Sequence, residues 1–529
     1  MKRLVAALAA FMSLVLVACS TSEEGTSNTS DTPGAGPSSN ADLTIVAATE
    51  LKDLEELVDR AAKELGFTID MQFPGGTLEN SQTLKQGGFD GEVDATWFAT
   101  NRYVNLIGAS DKLDGETKIA TSPVAFGVWE DSAKRLGWDT KQPTWAEFAD
   151  AAASGKFTFG MTNPQASNSG FSALVSVATA LADTGDAISP TDLERVGPRL
   201  KEMFEAQSMV SGSSGWLAET FVNDSSRGDG IVNYEATLHQ LKAQGVPIEV
   251  VVPADGVISA DYPLSALANP AHADARDRVE ELSRWLLDHQ EDIAQTYRRP
   301  VTGVDNVPAE IADQHVIELP FPANEAVVDE LLYAYDNSYR KPGRTTFVLD
   351  TSGSMEGQRL ASLKSIMHSL IDGSASTLTG DVSLRDRETV TLQAFDFAPH
   401  EPLTVRFSRE DPKSAEQLSD FVDGLQAEGG TAVYQTLLKA LRNTDPNGGI
   451  PSIVLLSDGE STVAPDYVEF KRQYEALPEQ LRNVPVFVIL YGDANAIEMQ
   501  ALADLTGGEV FDALGGDLAA AFKEIRGFQ

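Results

Sequence analysis

The second half of the chain alternates short apolar runs with segments whose apolar residues recur at helical spacing. The apolar runs are TTFVLD, ETVTLQAF, SIVLLSD, VPVFVILYG and GEVFDA. The helical segments between them are GQRLASLKSIMHSLI, AEQLSDFVDGL, AVYQTLLKALRN, YVEFKRQYEAL and AIEMQALADL. Runs that are apolar on both faces and alternate with helices predict a doubly wound α/β sheet. In such a sheet, ligands bind beyond the carboxyl ends of the strands.

Oxygen-bearing side chains stand at two of these predicted strand ends and at one helix start. They are Asp350, Ser352, Ser354, Thr431 and Asp458. Carboxylate and hydroxyl ligands without His or Cys favour Mg²⁺ or Mn²⁺ over zinc. Asp and Ser also cap turns for local reasons, so the phrase DTSGSM alone fits a capped turn as well as a metal loop. The joint order of all five residues predicts a metal site.

With these motifs, residues 343–529 resemble a von Willebrand factor A (VWA) domain that carries a complete metal-ion-dependent adhesion site. The resemblance implies a Rossmann-like fold in which the five side chains hold Mg²⁺ directly or through water. It also implies that an Asp or Glu of a protein partner completes the metal shell.

The first half of the chain shows a second alternating pattern. LTIVAATEL predicts a strand, DLEELVDRAAKELG an amphipathic helix and FTIDMQF a second strand, which together form a βαβ unit. Further predicted strands are DATWFA, SPVAFGVW, FTFGMTN and IEVVVPADGVISADYPLSAL, and the helix ADARDRVEELSRWLLDHQEDIAQTYRR closes the region. A second α/β domain is therefore expected.

The phrases SPVAFGV, TNPQASNSGFSAL and DGVISADYPLSAL make residues 42–300 similar to an extracellular solute-binding protein of the type II periplasmic kind. The resemblance implies two lobes joined by two crossing strands, with a ligand in the cleft between the lobes. We expect the crossings near residues 122–128 and 250–264. One lobe would then comprise residues 42–121 and 265–300, and the other lobe the segment between them.

Candidate cleft residues lie at helix starts, at strand ends and at the expected crossings. In TNPQASNSGFSAL, free backbone N–H groups and hydroxyls converge at a helix start, where an oxyanion or another polar acceptor is favoured. Capping of the helix by Ser167 or Ser169 is the alternative interpretation. The full candidate set is Thr49, Thr77, Ser122, Asn163, Ser167, Ser169, Tyr234 and Tyr262.

The amino terminus has the features of a bacterial lipoprotein signal. Two basic residues precede an apolar run that is too short to span a bilayer comfortably, and LVAC fits a lipobox ending at Cys19, the one cysteine of the chain. Residues 1–19 are predicted to be a signal peptide and residues 20–41 a flexible linker. Cys19 would carry the lipid and hold the protein at the extracytoplasmic face of the cell membrane, with no other membrane attachment.

The chain has 40 basic and 79 acidic residues, a formal net charge of −39, which argues against nucleic-acid binding. No nucleophile, histidine-pair or phosphate-loop motif is present, so no enzymatic activity is expected. Residues 301–342 are expected to form an ordered connector that contains a helix in VVDELLYAY. The sequence thus predicts a binding lipoprotein with a Mg²⁺-dependent protein site and a domain for a small polar solute. The alternatives are a solute receptor for an ABC permease with an accessory VWA domain, or an assembly factor for a metal enzyme.

Overall fold

The protein is described by a computed structural model that covers residues 40–529, except 213, 313–314, 378–379, 447, 460, 492–495, 514–517 and 529. Cys19 and most of the predicted linker lie outside the described residues. The described part is α/β throughout, and the predicted α/β architecture of both halves of the chain is confirmed.

The N-terminal region is built on two mixed sheets. Its strands are β1 Leu43–Ala47, β2 Ile69–Gln72, β3 Ala95–Trp97, β4 Leu113–Lys118, β5 Ala120–Trp129, β6 Phe159–Thr162, β7 Gln207–Ser211, β8 Gly230–Tyr234, β9 Ile248–Val251, β10 Ser259–Ala260, β11 Pro263–Leu267 and β12 Arg299–Pro300. One sheet, in the order β2-β1-β3-β11-β4, defines the first lobe. The other sheet, in the order β10-β5-β8-β6-β7, defines the second lobe, and β9 and β12 also pair with β5.

Helices cover both sheets. They are α1 Glu55–Leu65, α2 Thr77–Lys85, α3 Arg102–Leu106, α4 Glu130–Leu136, α5 Trp145–Ala153, α6 Asn168–Ala182, α7 Pro190–Phe204, α8 Ser214–Asn223, α9 Glu235–Ala243, α10 Ala275–Asp288 and α11 Gln290–Gln295. The chain passes from the first lobe to the second between β4 and β5 and returns between β10 and β11. The two lobes therefore face each other across these connections.

The stretch IEVVVPADGVISADYPLSAL was predicted to be a single strand, and this was wrong. It forms the three short strands β9, β10 and β11. Pro253 and Gly256 interrupt it with a turn in which the Gly256 N–H donates to the Pro253 carbonyl at 3.3 Å. Gly256 has φ +110, a conformation that side chains of L-residues rarely adopt. The break separates β9 from β10, which pair with different parts of β5.

The connector contains α12 Ala309–Ala312 and α13 Glu325–Ala334. Val327, Val328 and Leu331 of α13 are buried in the same core as the two lobes. The Tyr335 hydroxyl, just after α13, donates to Gln207 Oε1 at 2.9 Å. The connector therefore packs against the N-terminal region and is ordered there.

The C-terminal domain has one main sheet in the order β17-β16-β13-β18-β19-β20, parallel except for the edge strand β17. Its strands are β13 Gly343–Asp350, β14 Ser376–Thr377, β15 Gly380–Asp381, β16 Thr389–Phe395, β17 Leu403–Arg406, β18 Ile450–Ser457, β19 Val486–Leu490 and β20 Val510–Asp512. Its helices are α14 Gln358–Asp372, α15 Pro412–Asp423, α16 Val433–Asn443, α17 Tyr467–Glu475, α18 Glu479–Arg482, α19 Ala496–Thr506 and α20 Leu518–Phe528.

Alternate residues of β13 belong to different cores. Phe347 and Leu349 pack into the cluster on one face of the sheet, and Val348 packs into the cluster on the other face. Helices cover both faces of the sheet, so no side chain from Phe347 to Leu349 faces solvent. This part of the strand is therefore apolar at every position. The first polar side chain after this apolar stretch is Asp350, at the end of the strand.

A buried histidine in the second lobe gives the fold a predicted acid sensitivity. His239 of α9 stacks on Tyr297 with ring centroids 5.5 Å apart, and burial lowers the pKa of His239 to about 4. In the unfolded chain this histidine has an ordinary pKa of about 6.5. Between that pH and about pH 4 the unfolded chain therefore binds a proton at this residue and the folded protein does not. We expect this residue to remove on the order of 3 kcal/mol of stability as the pH falls from about 6.5 to about 4.

Urea unfolding of the wild type and His239→Gln at neutral pH and at about pH 4.5 measures this effect. His239→Gln should lose less stability on acidification than the wild type. The matched control is His315→Gln, which replaces an exposed histidine. Equal acid losses in all three proteins would contradict the assignment.

Candidate functional site

The C-terminal sheet brings two carboxyl groups to the carboxyl edge of adjacent parallel strands. β13 ends at Asp350, and its neighbour β18 is followed directly by Asp458. The two residues are only 0% and 2% exposed. Since the carboxyl edge is where open α/β sheets bind ligands, these two groups mark the first candidate site.

The loop after β13 and the end of β18 both donate hydrogen bonds to Asp350. The Ser352 N–H donates to Asp350 Oδ1 at 2.8 Å, and the Ser457 hydroxyl donates to Asp350 Oδ2 at 2.5 Å. The hydroxyl oxygens of Ser352 and Ser354 lie 3.1 Å apart across the short 3-10 turn Gly353–Met355. Asp350, Ser352 and Ser354 are thus brought together in one compact loop.

Hydrogen bonds between loops hold Thr431 at the same edge of the sheet. The Gly353 N–H donates to the Gly429 carbonyl at 3.2 Å, which ties the loop after β13 to the segment before Thr431. The Thr431 N–H donates to Thr462 Oγ1 at 2.9 Å, which ties Thr431 to the segment after Asp458. Thr431 is 3% exposed and lies between the two loops that carry the carboxylates.

The electrostatics of this edge favour a cation. Burial, with a smaller effect of the nearby Asp458, raises the pKa of Asp350 to about 6 against the hydrogen bonds from Ser352 and Ser457. Arg359 donates to Asp458 Oδ2 at 3.0 Å, but Asp458 Oδ1 is buried without a hydrogen-bond partner. A buried carboxylate oxygen with no donor is costly unless something else binds it.

The donor set fits a hard cation. Among the described residues, no group of three or more His, Cys, Asp or Glu side chains is placed to hold a metal, so a cation at this edge would need hydroxyl ligands beside the two carboxylates. Asp350 and Asp458 supply charge, and Ser352, Ser354 and Thr431 supply neutral oxygens. Oxygen-only sets with few carboxylates suit Mg²⁺, which keeps several waters.

Two of the cleft candidates, Ser167 and Ser169, belong to a hydroxyl cluster at the start of α6. Ser169 Oγ lies 3.2 Å from Ser167 Oγ, 3.0 Å from Thr162 Oγ1 and 2.8 Å from Ser214 Oγ. Asn163 lies just before this cluster, and its Oδ1 accepts from the Gln165 N–H at 3.0 Å. The Asn163 Nδ2 donates at 3.3 Å to the carbonyl of Arg526 in α20, the last helix of the C-terminal domain.

Thr77 and Ser122 bond to backbone within the fold. Thr77 Oγ1 accepts from the Ala99 N–H at 3.0 Å, and Ser122 Oγ accepts from the Ala236 N–H at 3.2 Å. Both side chains thereby fix the ends of neighbouring elements. Thr49 begins the 3-10 helix that follows β1 and is exposed.

Tyr234 and Tyr262 are buried together, with ring centroids 6.3 Å apart. The Tyr234 hydroxyl accepts from Asn168 Nδ2 at 2.7 Å, and burial together with the nearby Glu50 carboxylate raises the pKa of Tyr234. Arg298 lies 5.3 Å from the centre of the Tyr262 ring. Glu50 belongs to the first lobe and Asn168 and Tyr234 to the second, so this group of polar side chains includes residues of both lobes.

Sequence reasoning missed several residues of these sites. Glu50 Oε1 and Asn168 Oδ1 are buried acceptors without a hydrogen-bond partner, and burial raises the pKa of Glu50. Asn168 lay within the quoted helix-start motif, which was a usable signal. Glu50 and Arg359 gave no signal of their own, because single charged residues are common in so charged a chain.

Comparison with known proteins assigns both halves of the chain. Residues 43–291 match the family model of bacterial extracellular solute-binding proteins, and residues 344–511 match that of the von Willebrand factor type A domain. The chain therefore combines a solute-binding-like domain with a VWA domain.

Relatives of known sequence each match about a quarter of the chain. The human inter-alpha-trypsin inhibitor heavy chain H4 is 29% identical over 130 residues, which is 23% of this chain and 13% of that protein. An uncharacterized protein of Synechocystis is 30% identical over 148 residues, 25% of this chain and 32% of that protein. The chain spans less than a third of each of these two relatives.

Solved structures of low identity resemble each half. The periplasmic binding protein AfuA of Actinobacillus pleuropneumoniae, bound to fructose-6-phosphate, has a TM-score of 0.45 and 13% identity over 55% of this chain and 97% of that chain. The sulfate-binding protein SubI of Mycobacterium tuberculosis has a TM-score of 0.41 and 18% identity over 54% and 98%. A VWA protein of Catenulispora acidiphila has a TM-score of 0.28 and 21% identity over 36% and 42%.

In the part of the chain that the structure describes, none of the helices combines the length and apolar character needed to cross a bilayer.

Proposed function

We propose that this chain is a non-enzymatic, surface-anchored binding protein whose VWA domain holds Mg²⁺, with Mn²⁺ as a substitute, to bind a protein partner. The observation that supports this most is the buried pair Asp350 and Asp458, of which Asp458 Oδ1 has no hydrogen-bond partner. Asp350, Ser352, Ser354, Thr431 and Asp458 would hold the ion. When bound, Mg²⁺ supplies a coordination position for an Asp or Glu of the partner.

The protein surface beside the site suits a partner with an apolar contact next to its acidic residue. Phe397 follows β16 at the same edge of the sheet and is 64% exposed. Its ring lies over Gly429 and Gly430, where an added Cβ would come within 2.7 Å and 2.8 Å of the ring atoms. The two glycines thus leave room for an aromatic side chain beside the candidate metal loop.

Capture from solubilised membranes tests the protein-binding proposal. The immobilised chain should retain a partner in Mg²⁺, release it in EDTA and retain it again when Mg²⁺ is restored. A partner held equally in EDTA would contradict a metal-dependent contact.

We further propose that Cys19 carries the lipid that attaches the protein to the extracytoplasmic face of the cell membrane. Cys19→Ser should then shift the protein from the membrane fraction to an unprocessed or released form. Fractionation with mass analysis of the mature amino terminus measures this. A wild-type protein without acyl mass that fractionates like the variant would refute the anchor.

The solute-binding-like domain is proposed to take a small polar ligand, or to act as a scaffold. The unpartnered acceptors Glu50 Oε1 and Asn168 Oδ1, on opposite lobes, favour a ligand and support the second candidate function, a solute receptor for an ABC permease. A thermal-shift panel of anions, amino acids, sugars, amines and peptides separates the cases, because a ligand of the folded state raises the melting midpoint. A melting midpoint that no compound of the panel changes would favour the scaffold role.

A further inference from the structure

The last helix of the VWA domain contacts both lobes of the solute-binding-like domain. Lys523 forms an ion pair with Glu79, in the first turn of α2 in the first lobe. The carbonyl of Arg526 accepts from Asn163 Nδ2, after β6 in the second lobe, at 3.3 Å. The Lys523 side chain and the Arg526 carbonyl thus connect one helix to both lobes.

The two lobes touch each other next to these contacts. Gly76 immediately precedes α2, and an added Cβ there would lie 2.5 Å from the carbonyl oxygen of Ala166, which precedes α6. The contact therefore joins the loop that leads into α2 to the loop that leads into α6. Glu79 and Asn163 belong to the same two segments, so α20 crosses the rim where the lobes meet.

Other contacts of α20 fix it within its own domain. The Arg526 guanidinium pairs with Glu388 at 2.8 Å, and Phe522 packs near Phe347 of β13 with ring centroids 6.2 Å apart. Lys523 is only 9% exposed, so its ammonium depends on Glu79 for charge compensation. The helix therefore packs within the VWA domain and also contacts the rim where the two lobes meet.

We infer that α20 is a clamp that docks on the cleft rim and holds the two lobes together. Separation of the lobes would break either the Lys523–Glu79 pair or the Asn163–Arg526 hydrogen bond. Exchange of a solute through the cleft requires such a hinge opening. Opening of the cleft and docking of the VWA domain are therefore coupled, and by linkage each biases the other.

Hydrogen–deuterium exchange of the full chain tests the clamp. Lys523→Glu places two carboxylates in contact, and the amides of residues 74–80 and 163–167 should exchange at least about tenfold faster, since local opening sets their exchange. Lys523→Met, which keeps the length but removes the charge, should accelerate the same segments less. The control Lys364→Met, in α14, replaces a lysine that bonds to the Asp423 carbonyl away from the rim and should leave both segments unchanged.

Charge reversal distinguishes a clamp from general loss of stability. The double variant Glu79→Lys with Lys523→Glu restores an ion pair of opposite direction and should return both segments toward wild-type exchange. Wild-type exchange at both segments in Lys523→Glu would overturn the clamp. A double variant that exchanges as fast as Lys523→Glu would also overturn it.

Discussion

Asp458→Ala is expected to lower the Mg²⁺ affinity of the VWA domain by at least about 100-fold, because changes even to groups that only support a metal ligand cost about 10–100-fold. The substitution removes one of two buried carboxylates that face the same edge. Partner capture should fall with metal affinity. Stability should change little, since the main protein interaction that the substitution removes is the ion pair with the half-exposed Arg359.

The Mg²⁺-induced rise in melting midpoint reports this loss, because Mg²⁺ that binds the folded state stabilises it. The matched control is Asp420→Ala, which removes an exposed carboxylate from α15 with the same change in net charge. Thr431→Ala should weaken the response less than Asp458→Ala, since a neutral hydroxyl attracts a divalent ion less than a carboxylate does. A Mg²⁺ response equal in Asp458→Ala and Asp420→Ala would refute the assignment.

Arg526→Met is expected to destabilise the C-terminal domain by about 3–5 kcal/mol, the usual cost of leaving one member of a buried ion pair alone. Arg526 and Glu388 are 3% and 1% exposed. Glu388 also accepts from Thr345 Oγ1 at 2.6 Å and from the Arg385 N–H at 3.1 Å. These hydrogen bonds cannot neutralise its charge once Arg526 is removed.

The pH dependence of this loss has a definite sign. Burial alone would raise the pKa of Glu388, but Arg526 and the hydrogen bonds outweigh burial and hold the pKa below its usual value. In the wild type the group therefore stabilises the fold above the pKa of the unfolded chain and less as the pH falls. In Arg526→Met the carboxyl protonates more readily, so the gap between the two proteins should narrow at acidic pH.

Urea unfolding at neutral and acidic pH measures both effects. The double variant Arg526→Met with Glu388→Gln should recover part of the lost stability, because it removes the uncompensated charge. A loss of less than about 1 kcal/mol that does not change with pH would show that the pair contributes little.

Local patterns of apolar and polar residues predicted much of the fold and the elements of the candidate site. Apolar runs that stop at Asp350 and Asp458 predicted buried strands with acidic ends, and β13 and β18 have that form. Helical spacing in VVDELLYAY predicted the helix that the structure shows as α13. The spacing of apolar residues and the residue types at strand ends are local properties, so both can be recognised in a single sequence.

Contacts between distant parts of the chain could not be predicted in the same way. Asn163 was predicted only as a candidate cleft residue, and nothing in the sequence indicated that its Nδ2 donates to a carbonyl 363 residues away. Lys523 and Glu79 are ordinary surface-type residues in sequence, and only the docking of α20 pairs them. The turn at Pro253 and Gly256 was also missed, because the apolar residues around it suggested one continuous strand.

Calorimetric titration of Mg²⁺ into the EDTA-stripped chain tests the proposed metal site most directly. We predict one saturable site in the wild type that is lost in Asp458→Ala and kept in Asp420→Ala. Absence of a saturable Mg²⁺ signal in the wild type, or equal affinities in all three proteins, would contradict the metal-dependent binding role.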